Sequence, residues 1–430
     1  MAKTLTKTNE KRFTKTEKSW IMYDWANSVY ATNILAVIFP IYFGNVCQQN
    51  GADNLVLWSY GTSAATFIVA ILAPILGALA DHKGHKMRLF AGFLAIGVVF
   101  TLCSALFDQY QMLLVGYVIS HIGFSGSCLF YDSFLTDVTT NERMDRVSSW
   151  GYAMGYIGGS TIPFIISIVI LVVMGMSNML AFKLVIVLTS LWWAIFSIPF
   201  LKNVRQIYYI QPQKNLLRST FSNLLHTAKS IFSHKKILLF MLAYFFYIDG
   251  VNTIIAVSTS YGSKLGMDNI SMILALLMTQ IVAVPFSILF GKLAGKTGAL
   301  NALRGAVCVY FFICLVGFYM GFNIEQNPDN SSALTLSLVL FWCMAFLVGT
   351  VQGGIQAISR SHFGKLIPAE RSNEYFGFFD IFGKFAAVIG PLLVAMFTQL
   401  TGRDSIGVIS LAVLFLLGFV LLSLGQRRES

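Results

Sequence analysis

Two carboxylates lie in long apolar stretches of this chain, each with an amide and a hydroxyl spaced to join it. Asp24, Asn27 and Ser28 stand at i, i+3 and i+4, and Asp249, Asn252 and Thr253 repeat the pattern 225 residues later. On a helix this spacing puts all three polar groups on one face. A carboxylate at the centre of a membrane span costs at least about 2.5–3.5 kcal/mol on insertion, so it must face protein or a watery cavity. Two chemistries follow for each triad: binding of a solute or proton, or a polar lock between helices. Asp249 comes 13 residues after Lys236, roughly 20 Å along a helix, which places it with Asn252 at a central site. Asp24 comes four residues after Trp20 and belongs nearer the mouth, as the inner-side partner with Asn27.

Other groups extend the list. Asp132 and Arg360 carry opposite charges 228 residues apart, each near the end of an apolar run. Arg360 is expected either to pair with an acid or to anchor in lipid headgroups. Gln352, Gln356 and Arg360 are four apart and share a helix face, an amide and guanidinium strip suited to a carboxylate-bearing solute. Asp380 and Lys384 stand at i, i+4 with the acid first, the favourable order for an ion pair. Asp81 follows an apolar run, at the negative end of a helix dipole, and should seek a cation or the N-terminus of another helix. His121 reads either as a structural histidine or as a titrating one. No G-x-x-x-x-G-K-S/T is present and no H-E-x-x-H, which argues against an ATP-driven pump and against a zinc enzyme. No Cys-x-x-Cys occurs and the six cysteines fall mostly in apolar runs, so they read as small packing residues. The expectation is a non-enzyme with no metal and no cofactor.

The elements that must position these residues are membrane helices. The 430 residues are 56% hydrophobic and only 11% charged, with 37 Phe, where soluble domains carry about 25% charge. Lipid must therefore be the solvent for much of the surface. Twelve apolar runs are long enough to span: 20–43, 57–80, 89–107, 112–136, 147–174, 181–201, then 236–261, 271–294, 302–322, 333–359, 374–400 and 405–424. With no alternation at every second residue they are helices and not barrel strands. The net charge of +11 sits in short loops, which marks topology and not nucleic-acid binding. Of 30 Lys and Arg, 26 fall on the side of the two chain ends; Lys183, Lys264 and Arg403 fall on the other, and Lys384 within a span. Both termini are thus expected in the cytoplasm, with the plasma membrane as the location in a prokaryote. The expected divisions are a basic tail (1–19), a six-helix bundle (20–201), a basic linker on the anionic leaflet (202–235), a second bundle (236–424) and a short tail (425–430). No cleavable signal peptide is expected. Asn330-Ser331-Ser332 matches a glycosylation pattern, read as chance.

The bundles are copies. Besides the Asp-x-x-Asn-Ser/Thr triads, Gly77-x-Leu79-Ala80 with Gly84 matches Gly291-x-Leu293-Ala294 with Gly298. Glu142-Arg143, Gly155 and Pro163 match Glu370-Arg371, Gly383 and Pro391. An even number of spans per copy makes the repeats parallel, about an axis along the membrane normal.

The stretch Gly77-Ala-Leu-Ala-Asp81-His-Lys-Gly84-His-Lys86-Met-Arg88 resembles the loop signature of the major facilitator superfamily, with His82 and His85 where arginine is usual. Tyr23–Ser28, Val351–Ser361 and Gly383–Leu392 resemble the branch that holds the autophagy-related vacuolar amino-acid effluxers of fungi and prokaryotic relatives. The resemblance implies an all-α fold of twelve transmembrane helices in two pseudo-symmetric six-helix bundles. It implies a monomeric secondary transporter that exports an amino acid or similar polar metabolite by alternating access. A proton is the expected coupling partner. It places the two triads on the central cavity, sets Asp132 and Arg360 opposite each other as an inner gate, and gives Asp81 a partner around Asn373–Tyr375. Gly77, Asp81, Gly84, Lys86 and Arg88 are then gating residues. The alternative is a non-transporting sensor or scaffold with a transporter fold.

Overall fold

A computed structural model describes residues 12–176, 178–211, 216–264, 269–327 and 330–426. Most of the basic N-terminal tail, the last four residues and part of the linker lie outside the described residues. Among the described residues, twelve helices are long and apolar enough to cross a membrane. They are α1 (Lys15–Gln49), α2 (Asn54–Ala80), α3 (His85–Ser104), α4 (Tyr110–Val138), α5 (Asn141–Met174) and α6 (Met179–Asn203) in the first half. The second half holds α7 (Lys235–Ser258), α8 (Leu274–Thr297), α9 (Ala299–Gln326), α10 (Ser331–Leu366), α11 (Ala369–Thr401) and α12 (Asp404–Gly425). Twelve crossings put both ends of the described chain on one face, called the end face below.

Several helices outrun their apolar stretches because their ends are capped. Glu17 N–H donates to Thr14 Oγ1 at 3.1 Å and Thr14 N–H to Glu17 Oε2 at 2.8 Å. This capping box starts α1 five residues ahead of the expected run. Asn330 is likewise a helix cap, its Oδ1 accepting from Ser332 N–H at 2.9 Å. At its other end α10 runs on to Leu366 and so carries Arg360, Ser361 and Lys365 in helical register.

The fifth helix of each half is irregular at the same place. α5 widens into a π-helical stretch, Gly155–Thr161, ahead of Pro163, and α11 is interrupted at 386–388 ahead of Pro391. Proline has no N–H to offer the carbonyl four residues back and crowds it, so each helix is loosened there. The two halves meet through α2 on α11 and α5 on α8, pairs that the repeat exchanges, and through α5 on α10. Between the halves the linker holds a helix, Leu216–Ser233. Large apolar side chains such as Phe67, Val173 and Leu400 are more than half exposed on the outside, where only lipid could solvate them.

Candidate functional site: a charged cavity between the halves

A cavity of about 180 Å³ lies between the halves. Asn252 of α7 and Gln356 of α10 line it with Asp380 and Lys384 of α11, and Asp132 of α4 and Arg360 of α10 lie at its wall. Tyr152, Tyr244, Phe376 and Phe379 supply aromatic surface. The wall thus carries two acids, two bases and two amides, a set able to hold both charges of a small polar solute. Asp380 and Lys384 are joined as an ion pair within α11.

On the end face the halves are bolted together. Arg360 Nη1 donates to Asp132 Oδ1 at 2.9 Å and Nη2 to Asp24 Oδ2 at 3.2 Å, while Nε reaches Ser148 Oγ at 3.0 Å. The guanidinium also stacks over Trp20, Tyr131 and Tyr152, 4.6, 5.3 and 4.5 Å from their ring centres. Its backing on α5 is Gly151, where a Cβ would lie 2.4 Å from Asp24 Oδ2. One turn further, Asp145 of α5 accepts from Ser361 Oγ at 2.7 Å and pairs with Lys365 Nζ at 2.6 Å.

A second bolt joins α2 to α11. Asp81 accepts from the backbone N–H of Asn373 and of Glu374, both at 3.0 Å, and from Asn373 Nδ2 at 2.7 Å. A carboxylate at the end of α2 is thereby satisfied by the free amides of a helix start. The helices must nearly touch: a Cβ on Gly77 would sit 2.4 Å from the Asn373 carbonyl oxygen. Lys86, fully buried, pairs with Asp137 at 2.7 Å and donates to Ser372 at 3.1 Å. Asp137 in turn accepts from the linker amides of Ile207 and Tyr208 at 2.7 and 2.9 Å. Gly84 takes a left-handed conformation at φ 76°, which only glycine adopts without strain. Arg88 is exposed.

The structure separates the two triads. Asp24 joins the Arg360 cluster, Ser28 Oγ turns back onto the Asp24 carbonyl at 2.8 Å, and Asn27 is buried. Asp249 and Thr253 are not on the cavity. Both Asp249 oxygens accept from Gly390 N–H, at 3.0 and 2.9 Å, and Thr253 packs where a Gly390 Cβ would be. The Asp249 carboxylate therefore caps the restart of α11 after its break, the interhelical lock of the two readings, while the Thr253 hydroxyl donates to Asp249 Oδ1 at 3.4 Å. Asn252, on the same helix, does face the cavity. Gln352 lines a separate, mostly apolar pocket with Met272, Thr279 and Met344, one turn from Gln356. His121 leaves Nδ1 without a hydrogen-bond partner.

Residues not singled out from sequence complete the bolts, Trp20, Tyr131, Ser148, Asp145 and Asp137, and Glu17 braces α1 against α5 within the first half. Glu17 was signalled by Thr14-x-x-Glu17, and it also grips Arg143 through both oxygens, at 2.8 and 2.7 Å. Asp145 stands beside Arg146 at the head of α5 and reads in sequence as an ordinary solvated charge. Nothing in the sequence marks its partner 216 residues away.

Two helical halves around a charged cavity, bolted on one face, define a transporter of the major facilitator type. The chain belongs to the family described as "Vacuole effluxer Atg22 like", whose family model matches residues 54–143 and 136–430. It is 44% identical over 423 residues to the "Uncharacterized MFS-type transporter YxiO" of Bacillus subtilis (strain 168), covering 96% of this chain and 95% of that one. It is 25% identical over 433 residues to "Autophagy-related protein 22" of Pichia angusta, covering 88% and 76%. Among solved structures the fold is shared with the human organic anion transporter MFSD10 at a TM-score of 0.71 and 13% identity, over 95% of this chain and 99% of that chain. It is shared also with the proton:xylose symporter XylE at 0.65 and 11%, over 94% and 93%. The protein is an integral multi-pass membrane transporter of a small-molecule solute.

Proposed function

We propose that the protein is a monomeric secondary transporter, not an enzyme, that exports an amino acid or a similar small polar metabolite by alternating access. The observation that carries this is the cavity itself: its opposed charges, Asp380, Lys384, Asp132 and Arg360, lie between the halves and beside the bolts that close one face. A solute with an ammonium and a carboxylate would find a partner for each. Kinship with the vacuole effluxer family supports the direction and the class of cargo. The bias of Lys and Arg supports cytoplasmic chain ends, and with that orientation the bolted face is the cytoplasmic one. Coupling protons would reach Asp132 and Asp380, which the cavity touches, and not Asp249, which is committed to Gly390.

Reconstituted protein should exchange labelled amino acids across proteoliposomes, faster with an imposed pH gradient. Binding of solutes without any flux would replace this reading with that of a sensor. Flux indifferent to the gradient would remove the proton. Cysteines placed near both chain ends should react with impermeant reagents only in inside-out vesicles; reaction in right-side-out vesicles would overturn the orientation.

A further inference from the structure

The Arg360 guanidinium occupies a compartment built wholly by the other half of the molecule. Trp20 and Asp24 come from α1, Tyr131 and Asp132 from α4, and Ser148 and Tyr152 from α5. Three of these walls, Trp20, Tyr131 and Asp24, hold each other without help from Arg360. Trp20 stacks on Tyr131 with ring centres 4.4 Å apart, and Trp20 Nε1 donates to the Tyr131 carbonyl at 2.9 Å. Tyr131 Oη donates to Asp24 Oδ2 at 2.6 Å. When the halves part, the plug leaves and the walls stay. What remains is an aromatic box with two carboxylates, the combination that recognises organic cations. It adjoins the cavity, since Asp132 and Tyr152 line both and Arg360 reaches from one into the other. Asp132 keeps 35% of its side chain exposed even with the plug in place.

We propose that this box is a cation receptor, plugged by Arg360 in the closed state, that takes the ammonium or guanidinium group of the solute when the gate opens. The proposal rests on the alternating-access reading for its second half only. Solute and Arg360 then compete for one site, so for export the cationic group must pass from the box into the adjoining cavity before Arg360 returns and the gate shuts behind it. Selection follows: a solute without a cationic group cannot displace the plug.

The test uses purified Arg360→Ala protein with ethylguanidinium and ethylammonium as probes, against sodium at equal ionic strength. The expected result is a saturable rise in melting temperature of roughly 2–5 °C with either organic cation. That rise should vanish when Trp20→Leu or Asp24→Asn is added, and should be much smaller in the wild type, where the box is full. Arg360→Gln serves if the alanine variant does not fold. No saturable rise, or the same rise in the box variants, overturns the receptor. Flux in proteoliposomes separates the two readings. Wild-type flux without cation rescue sinks the receptor alone, whereas rescue without flux sinks the transport reading and leaves a binding site. Equal flux of an amine-bearing solute and its N-acetyl form would overturn the selection.

Discussion

Arg360 makes four hydrogen bonds to the opposite half, two of them to carboxylates, from a planar fork that lysine cannot reproduce. Removing one partner of a buried pair costs about 3–5 kcal/mol because the other charge is left stranded. The Asp24 side chain keeps 12% exposure and Asp132 35%, so most of that cost falls on Asp24. Arg360→Ala should therefore shift the equilibrium towards a state open on the end face by more than about a hundredfold. The shift would be read as protease or thiol accessibility on the end face. Exchanging the charges, Asp132→Arg with Arg360→Asp, should restore only part of the loss, because the new acid would face Asp24. Full recovery would show that Asp24 is idle in the gate. Asp249 poses the opposite case. Its carboxylate serves two hydrogen bonds to one backbone amide, so Asp249→Asn keeps an acceptor and should lower stability by about 1–2 kcal/mol. It should leave gradient-driven flux within about twofold of wild type, and a flux reduced to background would return Asp249 to the transport path.

At the scale of the element, the proposed gate is a matter of how closely helices approach. Asp81 can reach the amides of Asn373 and Glu374 only because Gly77 lets α2 lie against the α11 backbone. Gly77→Ala would drive a methyl into a carbonyl oxygen at 2.4 Å, and neither side can give, because both are helix backbone. We expect α2 and α11 to separate, flux to fall by tenfold or more, and a Ser361→Cys probe, fully buried here, to become reactive from the end face. Continued burial of that probe would mean that the bolts act independently. The same element explains what sequence could and could not reveal. Twelve apolar runs, the internal repeat and the matching sites of Asp132 and Arg360 are written in composition and spacing, since lipid and symmetry leave few alternatives. The identity of spacing between the triads hid their difference in use. Asp249 answers a helix break before Pro391, whereas Asp24 meets a π-helical bend before Pro163 and remains free for Arg360. Which hydrogen-bond partner a buried acid takes depends on where another helix bends, and no periodicity within its own helix records that. The aromatic box was invisible for a related reason: its rings lie on three helices and are ordinary apolar residues in each.

For the whole molecule, the bolts lie on one face and a charged cavity lies beside them, so the alternating access proposed here requires that face to open. Asp145 and Ser361 offer a direct way to forbid it, since their side chains touch at 2.7 Å across the halves and both are buried. In a background freed of the six native cysteines, Asp145→Cys with Ser361→Cys should be joined by a short bifunctional thiol reagent. A covalent link there removes the rocking of one half against the other but leaves each half intact. Flux should drop to the protein-free level after crosslinking and return on cleavage of a reducible linker, while either single cysteine stays unaffected by the reagent. Solute binding from the side opposite the end face should survive the link, because the cavity would still be formed. A crosslinked protein that continued to move solute would show that the cargo passes without the halves parting. Such passage would describe a pore and not a carrier, and the bolts on the end face would then be scaffolding. Flux that is lost while binding is kept would identify those same contacts as the cytoplasmic gate.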